Sequence, residues 1–199
     1  MTKPSKTVAI LGTLDTKGDE HAYAAKLISD SGLSTLLIDV GTGSAPTIEP
    51  DVTREEVASA GRIDLAEIQQ RNDRGECVTA MTEAAPKLVA RLAAEGKIHG
   101  ILSLGGGGGT AIGTAAMRGL PVGFPKVMVS TLASGNTAHY VGTKDITMIP
   151  SVVDVSGLNS ISRVIFSQAA GAICGMVRTK VAKDIQDRPI IAASMFGNT

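Results

Sequence analysis

The sequence predicts an α/β fold in which helices cover both faces of a mainly parallel sheet. Short apolar runs at residues 7–11, 35–39 and 98–104 alternate with longer segments of helical periodicity. Uninterrupted apolar runs are typical of strands buried on both faces, and strands that alternate with helices form parallel sheets. Two further strands are predicted at residues 126–130 and 146–149.

Helices are predicted between these strands. The longer ones cover residues 18–31, 76–95, 110–118 and 158–180, and shorter ones begin at Thr53 and Leu65. Thr53 and Glu56 have the spacing of a capping box. The last helix is rich in small residues, which suit either close packing on the sheet or contact with another subunit or domain.

The composition argues against several classes of protein. The chain has 19 Lys and Arg against 19 Asp and Glu, no Trp, and 3% aromatic residues. Balanced charge does not favour a nucleic-acid backbone, and few aromatic rings are available to stack on bases. No apolar run reaches the ~20 residues of a membrane helix, and the start does not resemble a signal peptide. With two cysteines and no disulfide framework, we expect a cytoplasmic protein with no nucleic-acid or membrane partner.

The strongest indication of function is a run of five glycines between the third strand and a helix. Glycines expose backbone N–H groups with no Cβ in the way, and the helix directs its positive end at the same place. This pattern favours a bound phosphate or carboxylate. A tight structural turn is the alternative, although ordering glycines costs conformational entropy. The predicted contacts are Gly105, Gly106, Gly107, Gly108, Gly109 and Thr110.

The loop after the first strand is polar but has neither the Walker order nor the dinucleotide fingerprint. Asp15 can hold Mg²⁺ through water or accept from a ligand hydroxyl, and Lys17 can pair with a phosphate. Alternatively, Asp15 and Thr16 cap the next helix while Lys17 is solvated. The predicted ligand contacts of this loop are Thr13, Asp15, Thr16 and Lys17.

Two more strands end in polar residues. Asp39 ends the second strand, where an acidic residue often accepts from ribose hydroxyls. A turn-forming role before Gly41 is equally compatible. The loop after the fourth strand is dense in hydroxyl and amide groups, which suit phosphate oxygens, a sugar, or an ordinary polar loop. Its predicted contacts are Ser130, Thr131, Ser134, Gly135 and Asn136.

No catalytic residue and no metal site can be assigned from the sequence. The G-x-S-x-G nucleophile elbow is absent, and no Cys/His spacing typical of zinc occurs. The three histidines, His21, His99 and His139, are spread along the chain. His139 can act as a general base, but a packed or solvated role is the alternative.

Several longer segments resemble one family. They include VAILGTLDTKGDE at residues 8–20, LIDVG at 37–41, GILSLGGGGGT at 100–110, PKVMVST at 125–131 and DITMIPSVVD at 145–154. They are similar, in the same order, to the amino-terminal domain of an ATP-binding family that includes the tomato mosaic virus resistance protein and many uncharacterised bacterial proteins.

This resemblance implies a Rossmann-like, three-layer α/β/α domain in residues 1–182. It also implies ATP as the ligand, with Mg²⁺, and a homodimer or higher homo-oligomer. A strand and glycine turn near the end of the sequence add the expectation that residues 183–199 are the linker and first strand of a second α/β domain.

Three functions are compatible with these features. The first is an ATP-binding domain with a regulatory or assembly role. The second is a metabolic enzyme that uses a phosphorylated or carboxylate substrate, and the third is a protein-interaction module. The lack of a clear acid–base pair favours the binding domain.

Overall fold

The computed structural model describes residues 6–180, which form a five-stranded sheet in the order β2-β1-β3-β4-β5 with every strand parallel to its neighbours. The strands are β1 (Thr7–Gly12), β2 (Ser34–Asp39), β3 (Gly100–Gly105), β4 (Lys126–Ser130) and β5 (Thr147–Pro150). The helices are α1 (Leu14–Asp30), α2 (Arg54–Gly61), α3 (Leu65–Gln70), α4 (Arg74–Ala94), α5 (Gly107–Arg118), α6 (Ala138–Val141) and α7 (Ser160–Arg178). The predicted fold class is confirmed, whereas the segment 183–199 lies outside the described residues.

Helices cover both faces of the sheet because its central strands are buried on both sides. Along β1, Val8 and Ile10 pack in one core with α1 and α7, while Ala9 and Leu11 pack in another with α2, α4 and α5. Successive side chains of a strand point to opposite faces, so an uninterrupted apolar run supplies both cores. The result is three layers with the sheet in the middle.

The strand order reverses between β1 and β3. The chain passes from β1 to β2 on one side, and then crosses to β3 on the other side of β1. In open α/β sheets of this order, ligands bind in the crevice beyond the carboxyl ends of the two strands at the reversal. The loop after β1 and the glycine run after β3 therefore meet at this crevice.

Two helices next to the crevice begin earlier than the sequence predicts. Helix α1 begins at Leu14 instead of residue 18, with a break from helical geometry at Lys17 (φ −138°, ψ 29°). Helix α5 begins at Gly107 instead of Thr110, so three of the five glycines belong to its first turn. Because glycine has a low helix propensity, the sequence predicts a loop over all five glycines. Packing of the following residues on the sheet overrides that preference.

Other boundaries shift by one or two residues, and the short helix α6 was not predicted. Helix α4 begins at Arg74 because Asp73 caps it, accepting from the N–H groups of Gly75 and Glu76 at 2.8 and 3.0 Å. Strand β5 begins at Thr147. The predicted capping box of Thr53 and Glu56 is present at the start of α2.

Helix α7 packs on the sheet through one face. Its inner face is buried, and the approach is close: a Cβ on Gly100 of β3 would lie 2.6 Å from Val177. The helix glycines Gly171 and Gly175 face outward with open space around them. Among residues 6–180, α7 is the one helix long and apolar enough to cross a membrane, with mean hydropathy 1.3, but a core helix of a soluble protein meets the same test. The buried residues of α7 are Ser162, Phe166, Ala169, Ala170, Ile173, Cys174 and Val177.

A buried lysine stabilises the end of β4 opposite to the crevice. The Lys126 side chain is fully buried, and its ammonium donates to the carbonyl oxygens of Pro121 and Phe124 and to Asp145 Oδ1 at 2.6 Å. Partial burial acts to raise the pKa of Asp145. The hydrogen bonds from Lys126 and from the Gly123 N–H outweigh it and hold that pKa below its ordinary value.

We expect Asp145→Asn to lower the free energy of unfolding by about 1–3 kcal/mol, because it leaves the buried Lys126 charge without its anionic partner. Urea unfolding near neutral pH measures the loss. The matched control is Asp30→Asn in the exposed pair between Lys26 and Asp30, which should change stability by no more than about 0.5 kcal/mol. Equal effects of the two substitutions would contradict this assignment.

Candidate functional site

A cleft of about 540 Å³ lies at the carboxyl ends of β1 and β3. Its walls come from the loops after β1 and β2, the start of α4 and the start of α5. The volume falls in the range of small-molecule sites, ~300–1,000 Å³. The lining residues are Thr13, Asp15, Thr16, Lys17, Thr42, Gly43, Gln69, Asn72, Asp73, Arg74, Cys77, Val78, Gly106, Gly107, Gly108, Gly109 and Ile112.

The start of α5 presents free hydrogen-bond donors to this cleft. The Thr110 N–H makes the first helical bond, to the Gly106 carbonyl at 2.8 Å. The N–H groups of Gly107, Gly108 and Gly109 have no acceptor among residues 6–180, and no side chain caps the helix. A Cβ on Gly107 would meet nothing within 4 Å. Three donors and the positive helix end therefore border the cleft, which suits an anion.

The start of α4 also borders the cleft but is already capped. Asp73 accepts from the N–H groups of Gly75 and Glu76 and places a carboxylate at the positive end of that helix. A second anion would meet that charge. Unlike α4, α5 has no side-chain cap, so its first donors stay available.

Two of the predicted contact residues lock α5 to the sheet instead of lining the cleft. Thr110 and Ser130 are buried, and their hydroxyl oxygens lie 2.6 Å apart in a hydrogen bond. Ser130 Oγ also accepts from the Leu132 N–H at 3.0 Å. Gly105 is the last residue of β3, and its carbonyl accepts from the Thr131 N–H at 3.2 Å. These contacts fix the position of the donors on Gly107–109.

All four predicted residues of the first loop line the cleft. The hydroxyl oxygens of Thr13 and Thr16 lie 3.3 Å apart, and Asp15 Oδ2 accepts from the Gly43 N–H at 2.8 Å. Lys17 Nζ donates to the carbonyl oxygen of Val155, in the loop after β5. The Lys17 ammonium therefore bonds to the protein, which differs from the alternative in which this side chain is solvated.

Asp39 does not line the cleft. Its side chain is buried, with Oδ1 accepting from the N–H groups of Leu14 (3.1 Å) and Gly41 (2.8 Å), and Oδ2 accepting from Arg54 Nε at 2.7 Å. Both oxygens thus have protein partners, which favours the turn-forming alternative over a ribose contact. Arg54 Nη1 also donates to the Ser44 carbonyl oxygen at 2.8 Å, which links this ion pair to the loop after β2.

The remaining predicted residues lie beyond β4 and do not line the first cleft. Thr131 and Ser134 line a second cleft. Gly135 and Asn136 are exposed outside both clefts, and Asn136 Oδ1 accepts from the Ala138 N–H at the start of α6. His139 is also exposed there, with its ring 3.9 Å from that of Tyr140.

The structure adds cleft residues that the sequence analysis missed. Arg74 is exposed, and its guanidinium makes no hydrogen bond or ion pair with any described residue. Cys77 is buried, and burial raises the pKa of its thiol. In the sequence, the one feature that indicates this α4 wall of the cleft is Asp73, a residue type that commonly caps helices. Within residues 6–180, no group of three or more His, Cys, Asp or Glu side chains is placed to hold a metal ion.

A buried histidine supports the loop after β1. A Cβ on Gly12 would lie 2.0 Å from His21 Nε2, so the ring requires glycine at that position. His21 Nδ1–H donates to the Lys17 carbonyl oxygen at 2.6 Å, while Nε2 has no partner among the described residues. Burial lowers the pKa of His21, and the smaller opposing effect of the hydrogen bond to Lys17 does not reverse the shift.

We expect the protein to lose stability through His21 as the pH falls below about 6.5. Unfolded His21 takes up a proton near that pH, whereas the folded residue does so only at lower pH. The unfolded state therefore binds more protons, and the free energy of unfolding decreases. Urea unfolding at about pH 7.5 and about pH 5.5 should show a larger decrease for the wild type than for His21→Gln. Identical pH dependences would exclude His21 as the cause.

Comparison with known proteins agrees with the resemblance drawn from the motifs. Residues 6–182 match the Uncharacterised protein family (UPF0261) N-terminal domain. A UPF0261 protein of Clostridium tetani is 48% identical over 195 residues, which cover 98% of this chain and 48% of that protein. The ToMV resistance protein Tm-1(GCR237) of Solanum lycopersicum is 32% identical over 215 residues, which cover 98% of this chain and 28% of that protein.

A UPF0261 protein of Rhizobium meliloti is 45% identical over 194 residues, again 98% of this chain and 48% of the relative. The chain thus spans about half the length of these bacterial relatives. The predicted family resemblance is confirmed: the chain belongs to the UPF0261 family, and residues 6–182 are its N-terminal domain.

Proposed function

We propose that this domain binds ATP, with Mg²⁺, in a cytoplasmic protein, and that the phosphates bind at the start of α5. The observation that carries the proposal is the set of unpartnered N–H groups on Gly107, Gly108 and Gly109, which face a cleft at the reversal of strand order. Backbone donors at a helix start are a common phosphate-binding arrangement.

Two cations in the cleft lining suit a polyphosphate. Arg74 carries an unpaired guanidinium that can reach an anion, and Lys17 lines the opposite loop. Asp15, with the hydroxyls of Thr13 and Thr16, offers oxygen ligands for a hydrated Mg²⁺. Magnesium in proteins is often held by one or two carboxylates together with substrate phosphates.

An apolar part of the cleft suits the nucleobase. Cys77 and Val78 of α4 and Ile112 of α5 line the cleft beside the donors. Ligand sites commonly combine such apolar walls with a few polar groups that fix orientation. The raised pKa of the Cys77 thiol keeps this wall uncharged near neutral pH.

Self-association is part of the proposal. On α7, Ile161 and Val164 are 46% and 56% exposed, and the outward glycines Gly171 and Gly175 permit close approach of a second surface. Exposed apolar side chains next to small residues favour a protein contact. We propose a homodimer or higher homo-oligomer, which sedimentation of the purified protein with and without Mg-ATP tests.

A second candidate function is an enzyme that acts on a phosphorylated or carboxylate substrate. The three free N–H groups favour any oxyanion, so a metabolite carboxylate would satisfy them as well as a nucleotide phosphate. Turnover of ATP, alone or with metabolite mixtures, separates an enzyme from a binding domain.

The first experiment is a thermal-shift and calorimetric titration with Mg-ATP, ADP, AMP, NAD and inorganic phosphate. Saturable stabilisation by Mg-ATP is the expected result, because a ligand that binds only the folded state raises the melting temperature. Stabilisation by NAD or inorganic phosphate, with none by ATP, would overturn the ATP assignment.

We expect Gly107→Asp to weaken ATP binding at least about ten-fold, because it places a carboxylate where the phosphate binds. The open space around Gly107 accommodates the side chain, so the melting temperature without ligand should stay nearly unchanged. Gly107→Asn is the matched control, with the same size and no charge. Calorimetry on both variants measures the difference, and equal affinities would show that no anion binds at this helix start.

We expect Arg74→Ala and Lys17→Ala to weaken ATP binding by about 1 kcal/mol each, or roughly five-fold, because each removes one partly screened contact to phosphate. Arg74→Ala should leave stability unchanged because the side chain has no protein partner. Lys17→Ala should also lower the melting temperature, because it removes the bond to the Val155 carbonyl. Affinities for ATP that are unaffected by both changes would place the phosphates elsewhere.

A further inference from the structure

A second cleft, of about 570 Å³, lies beyond the carboxyl ends of β4 and β5. Thr131 and Ser134, from the loop after β4, form one side. Residues 150–154, at the end of β5 and after it, form the other. None of these residues belongs to the cleft proposed for the nucleotide.

The lining of the second cleft is rich in acceptors and carries no positive charge. No Lys, Arg or His is among its lining residues. Asp154 is exposed, and its carboxylate makes no hydrogen bond or ion pair with any residue from 6 to 180. With the hydroxyls of Thr131 and Ser134, it suits a ligand that donates hydrogen bonds. An anion would be repelled.

The wall formed by the loop after β5 is held in place from several directions. The Ser151 N–H donates to the Ser130 carbonyl at 3.0 Å, and the buried Ser151 hydroxyl donates to the Val153 carbonyl at 2.6 Å. Farther along, Lys17 holds the Val155 carbonyl, and the Gly157 N–H donates to Glu20 of α1. The wall is thus formed before any ligand arrives, as expected of a binding site.

Within this wall, Val152 has a backbone conformation that its side chain disfavours. Its φ is +64°, in the left-handed region that β-branched residues rarely adopt, and its side chain is 76% exposed. Such residues persist where the surroundings hold them, and they cluster at ligand sites. The exposed valine offers an apolar surface at the edge of an otherwise polar cleft.

The two clefts are close neighbours. A Cβ on Gly106, which lines the first cleft, would lie 3.8 Å from Thr131 Oγ1, which lines the second. Lys17 makes a second link, since it lines the first cleft and bonds to Val155 next to Asp154. A molecule in the second cleft would therefore lie beside an anion at the start of α5.

We propose that the second cleft binds a small co-ligand that carries several hydroxyl or amino groups and no negative charge. The position of the co-ligand beside an anion rests on the proposed function, whereas its binding does not.

Residue-resolved NMR of the ¹⁵N-labelled 199-residue chain tests this proposal. The probes are inositol as an uncharged polyol, ethanolamine as an amine and succinate as a dianion, each titrated with and without saturating Mg-ATP. Inositol or ethanolamine should shift the amide signals of Thr131, Ser134 and Val152–Asp154, and succinate should not. Shifts from Mg-ATP itself are expected at Gly107–109.

Variants separate this site from unspecific binding. Asp154→Asn should weaken ethanolamine binding at least about five-fold, and Thr131→Val should weaken inositol binding by a similar factor. Glu83→Gln, an exposed carboxylate of α4 outside both clefts, is the matched control and should change neither.

Three results would overturn the proposal. The first is that neither inositol nor ethanolamine shifts signals in the second cleft. The second is that succinate shifts them, and the third is that Mg-ATP displaces the probes. Displacement would assign the second cleft to the nucleotide itself. The nucleotide proposal has its own test: if it is wrong, the amide signals of Gly107–109 stay unchanged when Mg-ATP is added.

Discussion

The close approach between the end of β3 and the first turn of α5 is the constraint on which the candidate site depends. A Cβ on Gly105 would lie 2.9 Å from the Gly109 Cα, so a larger residue there would push the helix away. The hydrogen bond between Thr110 and Ser130 fixes the same helix to β4. The N–H groups at the start of α5 are therefore held over the cleft without acceptors, and they need no rearrangement to meet an anion.

The other loops are ordered around this helix start by buried polar contacts. Asp39 joins the start of α1 to the loop after β2, and Arg54 completes its hydrogen bonding. A buried ion pair of this kind contributes little net stability, but it defines one arrangement of the loops because either partner alone would be costly. Lys17 and Glu20 of α1 then hold the loop after β5. Both clefts thus depend on α1.

Among the described residues, no histidine supplies an acid–base group to the first cleft. The first cleft has donors and cations but no histidine among its lining residues, and His21 is buried beneath the loop without access to a ligand. Its lowered pKa keeps it neutral and makes it a packing residue. The bacterial relatives are about twice as long as the chain. Any reaction of the family can therefore involve groups from the rest of those proteins.

The sequence by itself determined the fold class, the family and the edge of the sheet where the polar loops meet. Apolar runs and helical periods are local properties, so they can be read without coordinates. Only the tertiary structure decided which polar residues face the cleft. Asp39 and Ser130 looked like ligand contacts but are buried by partners distant in sequence, while Arg74 was placed in the cleft by the packing of α4 against α5. Burial and pairing arise from contacts between distant segments, which local sequence does not encode.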